Sequence, residues 1–149
     1  MLEILMAIIK TLILLGILVI IHEGGHFVVA KLCKVKVNEF SIGFGKILLS
    51  RQKGETKYCL RLIPLGGFVS MEGEEEHSDA EGSFSNASIL KKIAIVSAGA
   101  IVNILFGLLV YFLLITFHYG IEIAAKSTIN YIGALGDSIR ILFTGGTTI

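Results

Sequence analysis

The sequence predicts a membrane protein that is mainly α-helical, with two transmembrane helices and a small membrane-associated antiparallel β-sheet between them. Three observations carry this reading. The chain is 54% hydrophobic with a mean hydropathy of +0.80, well above an ordinary soluble domain. Two apolar runs, residues 2–30 and 93–117, are long enough to cross a bilayer. Between them lies a polar stretch, residues 34–90, with strand-like alternation and turn signals.

The first run is broken only by Glu3, Lys10 and the sequence Ile21-His22-Glu23-Gly24-Gly25-His26 near its end. As a helix it is about 43 Å long, more than the ~30 Å hydrocarbon core, so one end must emerge or tilt. A cleaved signal peptide is the rival reading. It is set aside because the run has no basic leading region and no small-x-small cleavage site. The second run carries only Ser97, Asn103 and Thr116 as strongly polar interior residues. A third, amphipathic segment covers residues 121–146 and is expected on the outer side. The 149 residues suffice for one domain.

Charge orients the pair. Ten of the thirteen basic residues lie between the spans, with Lys31, Lys34, Lys91 and Lys92 flanking them directly. The positive-inside rule therefore makes the connecting segment cytoplasmic. Within that segment, residues 35–45, 47–50, 58–63 and 68–71 read as short strands, with turns at Lys53-Gly54 and Pro64-Leu-Gly-Gly67. Residues 72–88 are acidic and aperiodic and read as a solvated loop. Glu74, Glu75, Glu76 and His77 are a metal cluster on one reading and a solvated charge run on the other. The formal charge of +1 gives no reason to expect nucleic acid. Cys33 and Cys59 have no C-x-x-C spacing, so no disulfide framework or cysteine zinc site is indicated. Cys33 follows the motif closely, as a third ligand or as apolar filler.

His22-Glu23-Gly24-Gly25-His26 is an H-E-x-x-H motif. On a helix its two histidines stand about 40° apart around the axis and about 6 Å apart along it, so both imidazoles can reach one Zn²⁺. Glu23 lies beside the first, placed to take a proton from water and pass it to a leaving amine. Zinc would acidify that water and polarise a scissile carbonyl. The bland alternative is a polar patch at a helix end, but a Glu near membrane depth costs ~2.5 kcal/mol or more unless function holds it there. Gly24 and Gly25 are poor helix formers whose small size would let another backbone approach the metal face.

These residues resemble the N-terminal part of the site-2 proteases of the bacterial RseP type, which are intramembrane zinc metalloproteases. The resemblance runs through His22-Glu23-Gly24-Gly25-His26, Phe40-Ser-Ile-Gly-Phe-Gly45, Ile63-Pro-Leu-Gly-Gly67 and Ala98-Gly-Ala-Ile-Val-Asn103. It departs at Gly99-Ala100, where the family has Gly-Pro. It implies cleavage of a substrate's transmembrane helix within the bilayer, with His22 and His26 on Zn²⁺ and Glu23 catalytic. The implied location is the bacterial inner membrane, multi-pass, with the motif on the cytoplasmic side. Substrates would be membrane-anchored proteins or signal-peptide remnants. The strands near Phe40–Gly45 and 64–71 would present an edge to extended substrate or seal the site from lipid. Asn103 would bind substrate backbone or an oxyanion, or else form a helix–helix hydrogen bond.

The family completes its zinc site with an Asp from an Asp-Gly pair in a later helix, and no Asp-Gly pair occurs here. Asp137 and His118 are the substitutes within the chain, each expected far from the motif. About thirty residues after the second span cannot hold the PDZ domain of many members, so the reading is a PDZ-less or truncated member. Two function classes follow: an intramembrane zinc endopeptidase, or a non-catalytic membrane module lacking its third zinc ligand.

Overall fold

Two glycines of α1, Gly16 and Gly25, decide where the helices and the sheet meet. The computed structural model describes residues 1–144. In chain order the elements are α1 (Leu2–Leu32), β1 (Val37–Lys53), β2 (Thr56–Met71), α2 (Ile89–Tyr119) and α3 (Ile121–Thr144). The chain divides into two units, Met1–Asn103 and the part from Ile104 onward.

In the first unit, α1 and the start of α2 approach through glycine. A Cβ on Gly25 would sit 2.9 Å from the Ala98 carbonyl oxygen, and one on Gly16 would sit 3.1 Å from that of Pro64. Gly25 therefore lets α1 close onto α2, while Gly16 does the same against β2. Gly24 has open space beside it and serves no such contact. Both helices are 31 residues long and apolar enough to cross a membrane. Along α1, side chains such as Leu5, Ile13, Leu14 and Leu15 are exposed.

The end of α1 is a Schellman turn. The Lys34 amide donates to the Lys31 carbonyl and the Val35 amide to that of Ala30, while Val35 and Ala30 share the core. The positive-φ position, usually glycine, is Lys34 at φ 60°. This turn delivers Val35 and Val37 to a core shared with Ala30, Met71 and Ile95, which Phe27, Cys33 and Phe84 border. Cys33 is thus packing material beside the core.

The sheet differs from four separate strands. β1 and β2 are continuous, and each bends sharply enough to contribute two arms. Residues 39–42 pair on one side with 67–70, running antiparallel, and on the other with 57–60, where partners from Glu39↔Lys57 to Ile42↔Leu60 rise together. The second arm of β1 pairs with β2 as a hairpin from Ile47↔Arg61 to Lys53↔Thr56. The bends fall at Gly43 (φ 89°) and Gly66 (φ 119°), conformations that glycine adopts without a Cβ penalty. At Gly43 a Cβ would meet the Ile63 carbonyl oxygen at 2.6 Å. Pro64-Leu-Gly-Gly67 therefore bends a strand without ending it.

Arg61 pins the arms together. Its guanidinium donates to Glu39 Oε1 (2.6 Å), Ser41 Oγ (2.7 Å) and the Gly45 carbonyl (2.9 Å), with the Phe68 ring 5.1 Å away. Burial pushes the Glu39 carboxyl upward, but hydrogen bonds from Arg61, Ser41 and Cys59 outweigh it and hold its pKa below the ordinary carboxylate value.

In the second unit, Gly120 (φ 88°) breaks the chain between α2 and α3. Ala124 is buried there and Tyr111 stacks on Tyr131 at 5.2 Å. The amphipathic segment read as 121–146 is helical as far as Thr144, and residues 145–146 lie outside the described part.

Arg61→Ala leaves Glu39 without its cation and should cost about 1–3 kcal/mol, below the fully buried range because both side chains are about one-fifth exposed. A depressed folded pKa means stabilisation that is complete above the unfolded value, near ~4.3, and lost as pH falls through the folded one. Acid titration of unfolding should show that loss in the wild type, and a smaller one in Arg61→Ala.

Candidate metal centre

Four residues read from the sequence meet at one place. His22, Glu23 and His26 lie on α1, and Asn103 lies on α2 within reach of His22. The i, i+4 spacing brings the two imidazole centroids to 4.8 Å, edge to face. A Cβ built on Gly99 would lie 2.5 Å from His26 Nε2 and 2.6 Å from His22 Nε2. Both nitrogens therefore face the same small space, which exists because residue 99 has no side chain.

The opposite ring nitrogens are held from α2. His26 Nδ1 is 2.7 Å from the Ile95 carbonyl oxygen, which can only accept, so Nδ1 carries the proton and Nε2 keeps its lone pair. This is the arrangement by which proteins orient a metal-binding imidazole. His22 Nδ1 is 3.4 Å from Asn103 Nδ2, while Asn103 Oδ1 is buried without a partner. The two ends of an amide have nearly the same shape. Turned over, Asn103 accepts from His22 Nδ1–H through the orphaned oxygen and frees the second Nε2 lone pair. Ile95, Gly99 and Asn103 recur every four residues, one stripe of α2 laid against the motif.

These observations test whether zinc fits. Two imidazoles whose Nε2 atoms face one space could supply half of a tetrahedral zinc shell. Among the described residues no group of three His, Cys, Asp or Glu side chains stands close enough to hold a metal. His77 is outside this cluster, exposed and paired with Asp79 at 3.2 Å. Glu74 accepts from the Met71 amide at 3.1 Å and closes a turn.

Glu23 faces the sheet. A Cβ on Gly67 would lie 3.6 Å from Glu23 Cγ, so the last arm of β2 runs directly over the carboxylate. A cavity of about 250 Å³ opens beside it, lined by Glu23, His26, Val69, Met71, Glu74, Ile95 and Val96. The residue 67–71 arm pairs on one edge with β1 and has no strand partner on its other edge among the described residues. Sequence reasoning found the histidines, Glu23 and Asn103 but gave Gly99 and the Ile95 carbonyl no role. Their signal was positional: a small residue four before Asn103, and a backbone group four before that.

Comparison with known proteins follows the same lines. The model of peptidase family M50 matches residues 10–149. A protein named as a zinc metalloprotease in Clostridium acetobutylicum is 42% identical over 134 residues, covering 90% of this chain and 38% of its own. Protease RseP of Yersinia pestis is 46% identical over 118 residues, covering 76% of this chain and 26% of its own. One named as a zinc metalloprotease in Neisseria meningitidis is 46% identical over 109 residues, covering 70% and 24%. The chain thus spans about a quarter to two-fifths of the length of these relatives.

Gly99→Ala should preserve helix content, since alanine favours a helix by ~1 kcal/mol over glycine. Its methyl would nevertheless occupy the space between the two Nε2 atoms. Zinc titration should show affinity reduced at least about tenfold, as for loss of an orienting group.

Proposed function

The chain belongs to peptidase family M50, the site-2 proteases, and on that footing we propose that it carries the catalytic helix of an intramembrane zinc endopeptidase. The observation that supports this most is the convergence of two imidazole Nε2 atoms on the space above Gly99, with Glu23 beside them. His22 and His26 would hold zinc through those atoms. The third protein ligand would come from a later segment of the full-length protein, where the family places an Asp. Bound there, zinc supplies a Lewis acid that acidifies water and polarises a peptide carbonyl.

The chain's own residues do the rest. Ile95 and Asn103 keep the imidazoles in the tautomer that leaves Nε2 free. Glu23 holds a water by hydrogen bond, takes its proton and returns it to the departing amine. Asn103 acts as a positioning residue for His22, which is the helix–helix alternative for this side chain, rather than as an oxyanion donor. The free edge of residues 67–71 lies over Glu23 and suits an extended peptide, bound by main-chain hydrogen bonds.

The substrate class we infer is a transmembrane helix of a membrane-anchored protein or a signal-peptide remnant. Both long helices carry outward apolar side chains along their lengths, which lipid would cover. The family supports a bacterial inner-membrane location, and the lysines at the helix ends support placing the motif on the cytoplasmic side. One observation favours a second reading, a non-catalytic membrane module. Within the described residues the metal shell stops at two ligands.

In the full-length protein, Glu23→Gln should retain zinc yet slow cleavage of a transmembrane reporter by about 10²–10⁴-fold, the usual worth of a general base. His22→Ala should lose both zinc and cleavage. A Glu23→Gln protein that cleaves at the wild-type rate would remove Glu23 from the chemistry.

A further inference from the structure

The cavity beside Glu23 carries a group that the hydrolytic scheme leaves idle. Its wall joins the apolar side chains of Val69, Met71, Ile95 and Val96 to a second carboxylate, Glu74, with no Lys or Arg among the described residues that line it. Ile95 and Val96 stand about one turn of α2 before Gly99, and His26 stands one turn of α1 after His22. The cavity is therefore displaced from the metal space towards the helix ends that carry Lys31, Lys91 and Lys92.

Glu74 is fixed at the end of the last arm of β2. The Met71 amide donates to Glu74 Oε2 at 3.1 Å, and the Glu74 amide donates to the Met71 carbonyl at 3.3 Å. The following amide, of Glu72, donates at 2.9 Å to the Lys36 carbonyl, just before β1. Successive residues of a strand turn their main-chain groups to opposite edges, so Met71 bonds to Glu74 on the edge away from β1. An extended peptide laid along that edge beside Glu23 thus reaches Glu74 where the edge ends. Among the described residues Glu74 Oε1 has no hydrogen-bond donor, and no cation stands within ion-pair distance of the carboxylate.

An aliphatic wall that ends in an unpaired carboxylate matches a Lys or Arg side chain, whose methylenes cover apolar surface while the cation stays at the rim. A short apolar side chain would leave Glu74 unused, and an acidic one would meet two carboxylates. The substrate class proposed above supplies the match, since basic residues flank the cytoplasmic ends of transmembrane helices. We propose that this cavity is a specificity subsite for a Lys or Arg on the cytoplasmic side of the scissile bond, with Glu74 as its counter-ion. The proposal rests on the endopeptidase reading and adds the side chain that aligns the substrate along the open edge.

The test uses the full-length Glu23→Gln protein in detergent and fluorescent transmembrane reporters. In each reporter a single Lys replaces Gln, moved one residue at a time along the cytoplasmic side of the scissile bond. Binding should tighten about fivefold over Gln at one position, the worth of a partly exposed ion pair, and that gain should fade with salt. Adding Glu74→Gln keeps an acceptor for the Met71 amide and should bring the Lys-to-Gln affinity ratio to about one. Glu74→Lys should turn the preference to Glu at the same position. Equal binding of all reporters, or a Lys preference that survives Glu74→Gln, would overturn the proposal. Cleavage of the same reporters by the wild-type protein tells the two failures apart. No cleavage defeats the endopeptidase reading and the subsite with it, whereas cleavage with equal binding of all reporters defeats the subsite alone.

Discussion

The close approach of α1 and α2 at Gly25, Ala98 and Gly99 is the constraint on which the remaining structure depends. Two helices this near can exchange polar contacts directly. The Ile95 carbonyl and the Asn103 amide therefore reach the far nitrogens of His26 and His22, and both near nitrogens turn towards Gly99. A side chain at residue 25 or 99 would separate the helices or fill the space between the imidazoles. In the proposed lipid setting there is no hydrophobic force to press helices together, so small residues and buried hydrogen bonds must do it.

The sheet depends on that pair of helices in turn. Gly16 lets β2 lie on α1, and Gly67, where a Cβ would meet the Ser41 carbonyl oxygen at 2.6 Å, lets the last arm of β2 lie close against β1 beside Glu23. The Arg61 cluster locks the bend that puts the arm there, and the core around Val37, Met71 and Ile95 anchors its end to both helices. Glu23 consequently sits between the stripe of α2 that carries Ile95 and Gly99 and a strand edge with no partner among the described residues. That geometry suits a proton carrier working on an extended peptide.

Much of this was legible in the sequence because helical periodicity is a strong signal. H-E-x-x-H needs only a helix to bring His22 and His26 together, and α1 provides one from Leu2 to Leu32. The apolar runs and the placement of strands between them were read in the same way. The strand bends were harder. Pro64-Leu-Gly-Gly67 carries every local mark of a turn, but the ladder continues through it because residues 39–42 bond on both sides. Register of that kind is set by tertiary contacts, and no local pattern encodes it. Gly24 and Gly25 look alike in sequence, yet only Gly25 meets another backbone. The strained Lys34 was equally hidden, since a Schellman turn without glycine leaves no local signature.

In the proposed function His22 and His26 present their Nε2 atoms to a single zinc ion above Gly99. X-ray absorption at the zinc edge, on the protein loaded with one equivalent of metal, tests it most directly. Two imidazole nitrogens should appear at about 2.0–2.1 Å, falling to one in either His22→Ala or His26→Ala. A zinc shell without imidazole, or one unchanged by both substitutions, would contradict it.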